Sequence, residues 1–183
     1  MPPSSPSPNA YGHTLLIKHL LSKSLLASAC QEIISGTEMR LSYADLGKRT
    51  RQLANSLKSS GIRKGMRVGV MDWDTHRYLE CFFAIPMMGA SLFTINVRLS
   101  PAQVLYTINH GQPDLIIVHR DFMPLIDEIK SSFNKEIIIK PIIDGTGYEE
   151  WIGEANDIFD FPDFDENQTA TLFYTTGTTG NPK

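Results

Sequence analysis

Tyr174-Thr175-Thr176-Gly177-Thr178-Thr179-Gly180-Asn181-Pro182-Lys183 brings glycines, hydroxyl side chains and one cation into a single short stretch. Gly177 and Gly180 carry no Cβ, so the backbone can turn there and approach a ligand closely. Consecutive backbone N–H groups in such a loop can converge on phosphate oxygens. The hydroxyls of Thr175, Thr176, Thr178 and Thr179 add hydrogen-bond donors or a metal ligand, and Lys183 adds positive charge. These are the parts of a polyphosphate cradle. The pattern differs from Gly-x-x-x-x-Gly-Lys-Ser/Thr, in which Lys directly follows Gly and opens a helix. Here Asn181 and Pro182 separate Gly180 from Lys183. A flexible linker would need neither the strand-like run Thr171-Leu172-Phe173-Tyr174 before the loop nor Pro-Lys after it.

Elements that would position this loop are legible upstream. Residues 14–28 carry Leu15, Leu16, Leu20, Leu21, Leu25 and Leu26 in a helical stripe. Ile33-Ile34 and residues 39–42 flank a turn at 35–38 and predict a hairpin. Ser42 caps a helix whose apolar face holds Leu46, Leu53, Ala54 and Leu57, and Gly61 ends it. Lys48, Arg49, Arg51 and Lys58 are read as its solvated face. Strands follow at 67–71, 92–95, 115–118, 137–143 and 171–174. Between them lie helices at 75–88, with Pro86 bending or ending it, at 100–110, at 124–133 and at 148–154. This alternation predicts an α/β fold, a mostly parallel sheet flanked by helices. Ligands of such sheets bind beyond the carboxyl ends of the strands, where this loop begins.

Composition narrows the class. The 183 residues suffice for one domain with a core, and the net charge of −3 leaves no footprint for nucleic acid. No apolar run approaches the ~20 residues of a membrane span, and residues 1–13 read as a disordered, Pro- and Ser-rich tail. Cys30 and Cys81 are far apart among apolar neighbours and are expected to be reduced and buried, in a cytoplasmic protein. His13, His19, His76, His110 and His119 have no metal-binding spacing. Between Lys140 and Lys183 no Lys or Arg occurs. The acidic stretch 157–166, with Phe159, Phe161 and Phe164, reads as a surface connection anchored by aromatics rather than a calcium loop.

Leu172 to Lys183 matches at every position the signature apolar-x-x-Ser/Thr-Ser/Thr-Gly-Thr-Thr-Gly-x-Pro-Lys, and so resembles the phosphate loop of the adenylate-forming superfamily. Further upstream, Trp73-Asp74-Thr75-His76-Arg77-Tyr78-Leu79-Glu80, Phe83-Ala84-Ile85-Pro86-Met87-Met88-Gly89-Ala90 and Asn96-Val97-Arg98-Leu99-Ser100-Pro101 resemble bacterial medium- and long-chain fatty acid–CoA ligases. So do Tyr106-Thr107-Ile108-Asn109-His110 and Asp165-Glu166-Asn167. Asp74 and Val97 stand where that branch has Asn and Pro. His76 and Arg77 are read as capping or solvating the first turn of a helix, and Asn96 and Arg98 as fixing a strand-to-helix turn.

The resemblance implies a ligase that uses Mg-ATP to convert a carboxylic acid to an acyl-adenylate and passes the acyl group to coenzyme A. It assigns Thr175, Thr176, Gly177, Thr178, Thr179, Gly180 and Lys183 to the β- and γ-phosphates, with Thr175 or Thr176 touching magnesium. It also implies that residues 14–183 are the N-terminal portion of a larger domain. The adenine and ribose contacts, the acyl tunnel and the catalytic lysine of a mobile domain would then lie beyond Lys183, leaving the fragment alone inactive and open to self-association. Two other readings stay open: a non-catalytic phosphate-binding or interaction module, and a ligase for aryl or amino acids.

Overall fold

The computed structural model describes residues 12, 14–36, 39–143 and 147–175. The tail expected over residues 1–13 lies, Gly12 apart, outside them. Helix α1 (Ile17–Ser28) precedes a hairpin of β1 (Glu32–Ser35) and β2 (Met39–Ser42), paired antiparallel from Glu32 opposite Ser42 to Ser35 opposite Met39. Ser42 then caps α2 (Tyr43–Ser59): its Oγ accepts from the Asp45 N–H while Asp45 accepts from the Ser42 N–H, a complete capping box. The far end closes with two backbone bonds, Gly61 N–H to Lys58 and Ile62 N–H to Leu57. Gly61 at φ 92° supplies the left-handed residue which that closure requires.

The rest is a parallel sheet. Strands β3 (Arg67–Met71), β4 (Ser91–Thr94), β5 (Leu115–His119), β6 (Ile138–Ile142) and β7 (Thr171–Phe173) lie in the order β6-β5-β3-β4-β7. Helices α3 (His76–Met87), α4 (Pro101–Gly111), α5 (Met123–Ile129) and α6 (Tyr148–Gly153) connect them in turn. Each central strand is apolar on both faces. Val68, Val70, Leu115 and Ile117 pack with Leu53, Leu57, Ile85 and Ile152 of α2, α3 and α6. Met71, Ile116 and Val118 pack with Val104, Ile108 and Ile126 of α4 and α5. Continuous apolar runs of this kind are what a sheet covered on both sides demands.

The acidic connection, residues 155–170, has no helix or strand before β7 and is held by side chains of earlier elements. Arg51 Nε donates to the Asp157 carbonyl at 2.6 Å, and Asn55 Nδ2 donates to the carbonyls of Asn156 and Ile158. Lys58 lies over the Phe159 ring, Lys64 over Phe164, and Lys18 pairs with Asp163 at 2.7 Å. Arg51, Asn55 and Lys58 of α2 thus receive the connection, whereas Lys48 on the same helix stays exposed, as expected of a solvated face.

One cysteine departs from expectation. Cys81 is buried, whereas Cys30 is exposed in the turn between α1 and β1. Its apolar neighbours Leu26 and Ile34 are themselves exposed, so the apolar sequence around it does not mark a buried stretch.

Candidate functional site

The strand that leads into the glycine-threonine loop is short, and its placement decides where the loop begins. β7 runs parallel to β4, with Leu92 opposite Thr171, Phe93 opposite Leu172 and Thr94 opposite Phe173. Thr175 thus emerges, exposed, at the carboxyl end of the sheet. Thr176, Gly177, Thr178, Thr179, Gly180 and Lys183 lie outside the described residues. Tyr174, at the root of the loop, packs its ring against buried Phe93, with centroids 5.6 Å apart.

Beside Tyr174 a cavity of about 320 Å³ opens between the ends of β3 and β4. Asp72, Trp73, Asn96 and Arg98 line it. Asn96 accepts the Arg98 N–H on Oδ1 at 2.9 Å, so these two residues fix the turn after β4, as their spacing predicts. Trp73 stacks obliquely on Phe122 and donates Nε1–H to Asp121 at 2.9 Å. Asp72 went unmarked in the sequence, although an acidic residue directly after the apolar strand Val68-Gly69-Val70-Met71 is a signal at this end of a sheet. It is only 5% exposed. Its Oδ2 accepts from the Thr75 hydroxyl at 2.5 Å, and Oδ1 has no hydrogen-bond partner among the described residues. Burial pushes its carboxyl above the ordinary value of 3.8.

Below this end of the sheet lies a charged cluster that joins three helices. Arg49 of α2 donates Nε–H to Glu80 at 2.6 Å and Nη1–H to Glu149 at 2.8 Å. Arg77 of α3 donates to Glu149 at 2.7 Å, and the Tyr148 hydroxyl donates to Glu80 at 2.7 Å. His76 is 6% exposed, its backbone N–H donating to Ser35 Oγ. His76 and Arg77 are therefore neither a cap nor a solvated turn. Arg49, read as solvated, falls with Leu46 and Leu53 at helical spacing of three and four, so its place on the buried stripe was visible. The Glu149 carboxyl is held well below its ordinary range by His76, whose Nε2 stands 3.8 Å away, and by Arg49 and Arg77. At 3.8 Å the imidazole contact is too long for a hydrogen bond, so the two guanidiniums carry the larger share.

No group of three or more His, Cys, Asp or Glu side chains among the described residues is arranged to hold a metal ion. A magnesium ion that met the protein through a threonine hydroxyl, with phosphate and water supplying the other oxygens, would need no such group. The exposed Thr175 at the loop's root offers a donor of that kind.

Comparison with known proteins bears on the family and the fold. The family model described as AMP-binding enzyme matches residues 26–183. A 3-methylmercaptopropionyl-CoA ligase from Ruegeria lacuscaerulensis is 31% identical over 92% of this chain and 34% of its own length. A long-chain-fatty-acid–CoA ligase from Thermus thermophilus is 32% identical over 96% of this chain and 34% of its own. The crystal structure of the anthranilate CoA ligase AuaEII, solved with anthranoyl-AMP, superposes with a TM-score of 0.84 at 26% identity, covering 89% of this chain and 32% of that one. The chain spans about a third of the length of the curated relatives it matches.

Proposed function

The chain belongs to the AMP-binding enzyme family, and from that premise we propose that it is the N-terminal portion, residues 14–183, of a fatty acid–CoA ligase. One observation carries the reading. The Gly/Thr loop starts at the carboxyl end of an all-parallel sheet, next to a cavity lined by polar groups from neighbouring strand ends. The reaction brings an anionic carboxylate to a polyanion, so the site must supply positive charge and oriented dipoles where charge develops. The carboxylate oxygen attacks the α-phosphorus of ATP, the bond to the β-phosphate breaks, and pyrophosphate leaves. The thiol of coenzyme A then displaces AMP from the acyl carbon.

The loop's share is to hold the leaving β- and γ-phosphates. Backbone N–H groups around Gly177 and Gly180 donate to phosphate oxygens, the hydroxyls of Thr176, Thr178 and Thr179 add donors, and Lys183 neutralises charge. Thr175 or Thr176 would hold magnesium through its hydroxyl; when bound, the ion shields the phosphate charge. The groups that contact adenine, ribose and the acyl chain, and that form the thioester, are assigned to sequence beyond Lys183, so residues 1–183 alone bind ATP weakly and turn over none. The free thiols Cys30 and Cys81 suit a reducing, cytoplasmic setting. Among the described residues no helix is long and apolar enough to cross a membrane.

The test is product identity. The full-length protein, given ATP, coenzyme A and a mixture of fatty, aryl and amino acids, is expected to yield fatty acyl-CoA with AMP and pyrophosphate, read by mass spectrometry. Aryl- or aminoacyl-CoA would overturn the substrate class. ADP, or no thioester at all, would overturn the reaction.

A further inference from the structure

The loop's root is held from outside the sheet. The Tyr174 hydroxyl meets His110 Nδ1 at 2.5 Å. Burial, and then the neighbouring Tyr106, push the Tyr174 phenol above its ordinary value of 10.0, so the hydroxyl keeps its proton and can donate to the imidazole nitrogen or accept from it, according to the His110 tautomer. Tyr106 lies parallel to the His110 ring, 5.9 Å away with 7° between the planes, and flanks the imidazole. Phe93, fully buried, backs the Tyr174 ring from β4. The last turn of α4 and the middle of β4 thus grip one side chain, immediately before Thr175.

Such a grip matters because β7 is only three residues long and meets β4 through three register pairs. A strand that short sits at the lower limit for strands in folded proteins and fixes its own end poorly. His110 is exposed and adds nothing to the core, and among the described residues Tyr174 is the one hydrogen-bonding partner of its ring. We propose that His110 is a positioning residue for the phosphate loop, acting through the Tyr174 hydroxyl to fix where Thr175 and the residues after it start. The proposal rests on the reading that this loop holds the phosphates of ATP.

Its test uses the full-length protein with His110→Ala, His110→Gln, Tyr174→Phe and the double variant His110→Ala/Tyr174→Phe. Acid-dependent ATP–pyrophosphate exchange gives kcat and the KM values for ATP and for the acid. Melting temperature and hydrogen exchange over residues 174–183 are measured alongside. A net hydrogen bond of this kind corresponds to about a two- to tenfold effect. Each single change to Ala or Phe is expected to raise the ATP KM by that factor and to speed exchange over 174–183. The acid KM and the melting temperature should hold. The double variant should be no worse than either single, and the Gln variant, whose amide can accept or donate in the imidazole's place, should recover most of the loss. An unchanged ATP KM, additive losses in the double, or a lower melting temperature with ATP KM intact would overturn the proposal. Should the wild type show no adenylation, the functional reading fails by itself. Hydrogen exchange then decides the anchor: faster exchange over 174–183 in His110→Ala at constant melting temperature upholds it, and unchanged exchange overturns it.

Discussion

Arg49 and Glu149 stand 100 positions apart in the chain and are joined by two hydrogen bonds, of 2.8 and 3.2 Å. With Glu80, which is fully buried, they tie α2 to both α3 and α6. Removing one partner of such a cluster strands the opposite charges away from water. Arg49→Ala is therefore expected to cost about 3 kcal/mol or more, measured by urea denaturation. The double replacement Arg49→Leu/Glu80→Leu should cost clearly less than the sum of its singles. A loss below about 1 kcal/mol for Arg49→Ala would place the cluster among ordinary surface pairs.

The same carboxylate sets a pH dependence. Glu149 has a depressed pKa in the folded protein, so between that value and the unfolded one the native state binds fewer protons than the unfolded chain. Stability then rises with pH across that window. Its contribution is complete above its ordinary value of 4.5 and is lost as the pH falls below it. Glu149→Gln should thus destabilise most at neutral pH, with the gap to wild type closing below about pH 4.5. Urea midpoints across that range read this directly, and a gap independent of pH would contradict it.

Sequence pattern made the sheet legible because every central strand is an apolar run bounded by turn residues, and such runs permit little else. Arg67 to Met71 and the hairpin around Gly36 fall where periodicity and turn chemistry put them. The Ser42 and Ser100 caps were readable for the same local reason. The pairing of Arg49 with Glu80 and Glu149 was not readable, since it depends on which helix faces which, and that is a long-range fact. Asp72 was missed because nothing local separates a buried carboxylate at a strand end from one in a solvated turn. The loop's chemistry is read from residue types alone; of its assigned residues, only Thr175 falls among those described.

Gly111 offers a probe of the loop's support. A Cβ built on it would stand 2.9 Å from Cε1 of Phe93, the ring that backs Tyr174. Phe93 is fully buried and has no free end to swing aside. Gly111→Ala is expected to cost about 1–3 kcal/mol through overpacking and to loosen Tyr174, seen as faster amide exchange over 172–175. A neutral or stabilising substitution would show that the ring has room.

The outer edge of β7 bears on how the 183-residue chain behaves in solution. Among the described residues β7 pairs with β4 alone, and Phe173 is 63% exposed. Unpaired backbone and apolar side chains at a sheet edge favour association with a second chain. Light scattering of residues 1–183 is expected to show a mass that grows with concentration. A monodisperse monomer would contradict this and favour a self-contained binding module.

Hydroxamate trapping of the adenylate tests the central proposal most directly, because it reads acid activation without requiring transfer to coenzyme A. The full-length protein is offered ATP, magnesium, hydroxylamine and, in separate reactions, a fatty, an aryl and an amino acid. The expected result is fatty acyl-hydroxamate formed with matching pyrophosphate, several-fold above the aryl and amino acid reactions. No hydroxamate from any of the three acids would contradict it.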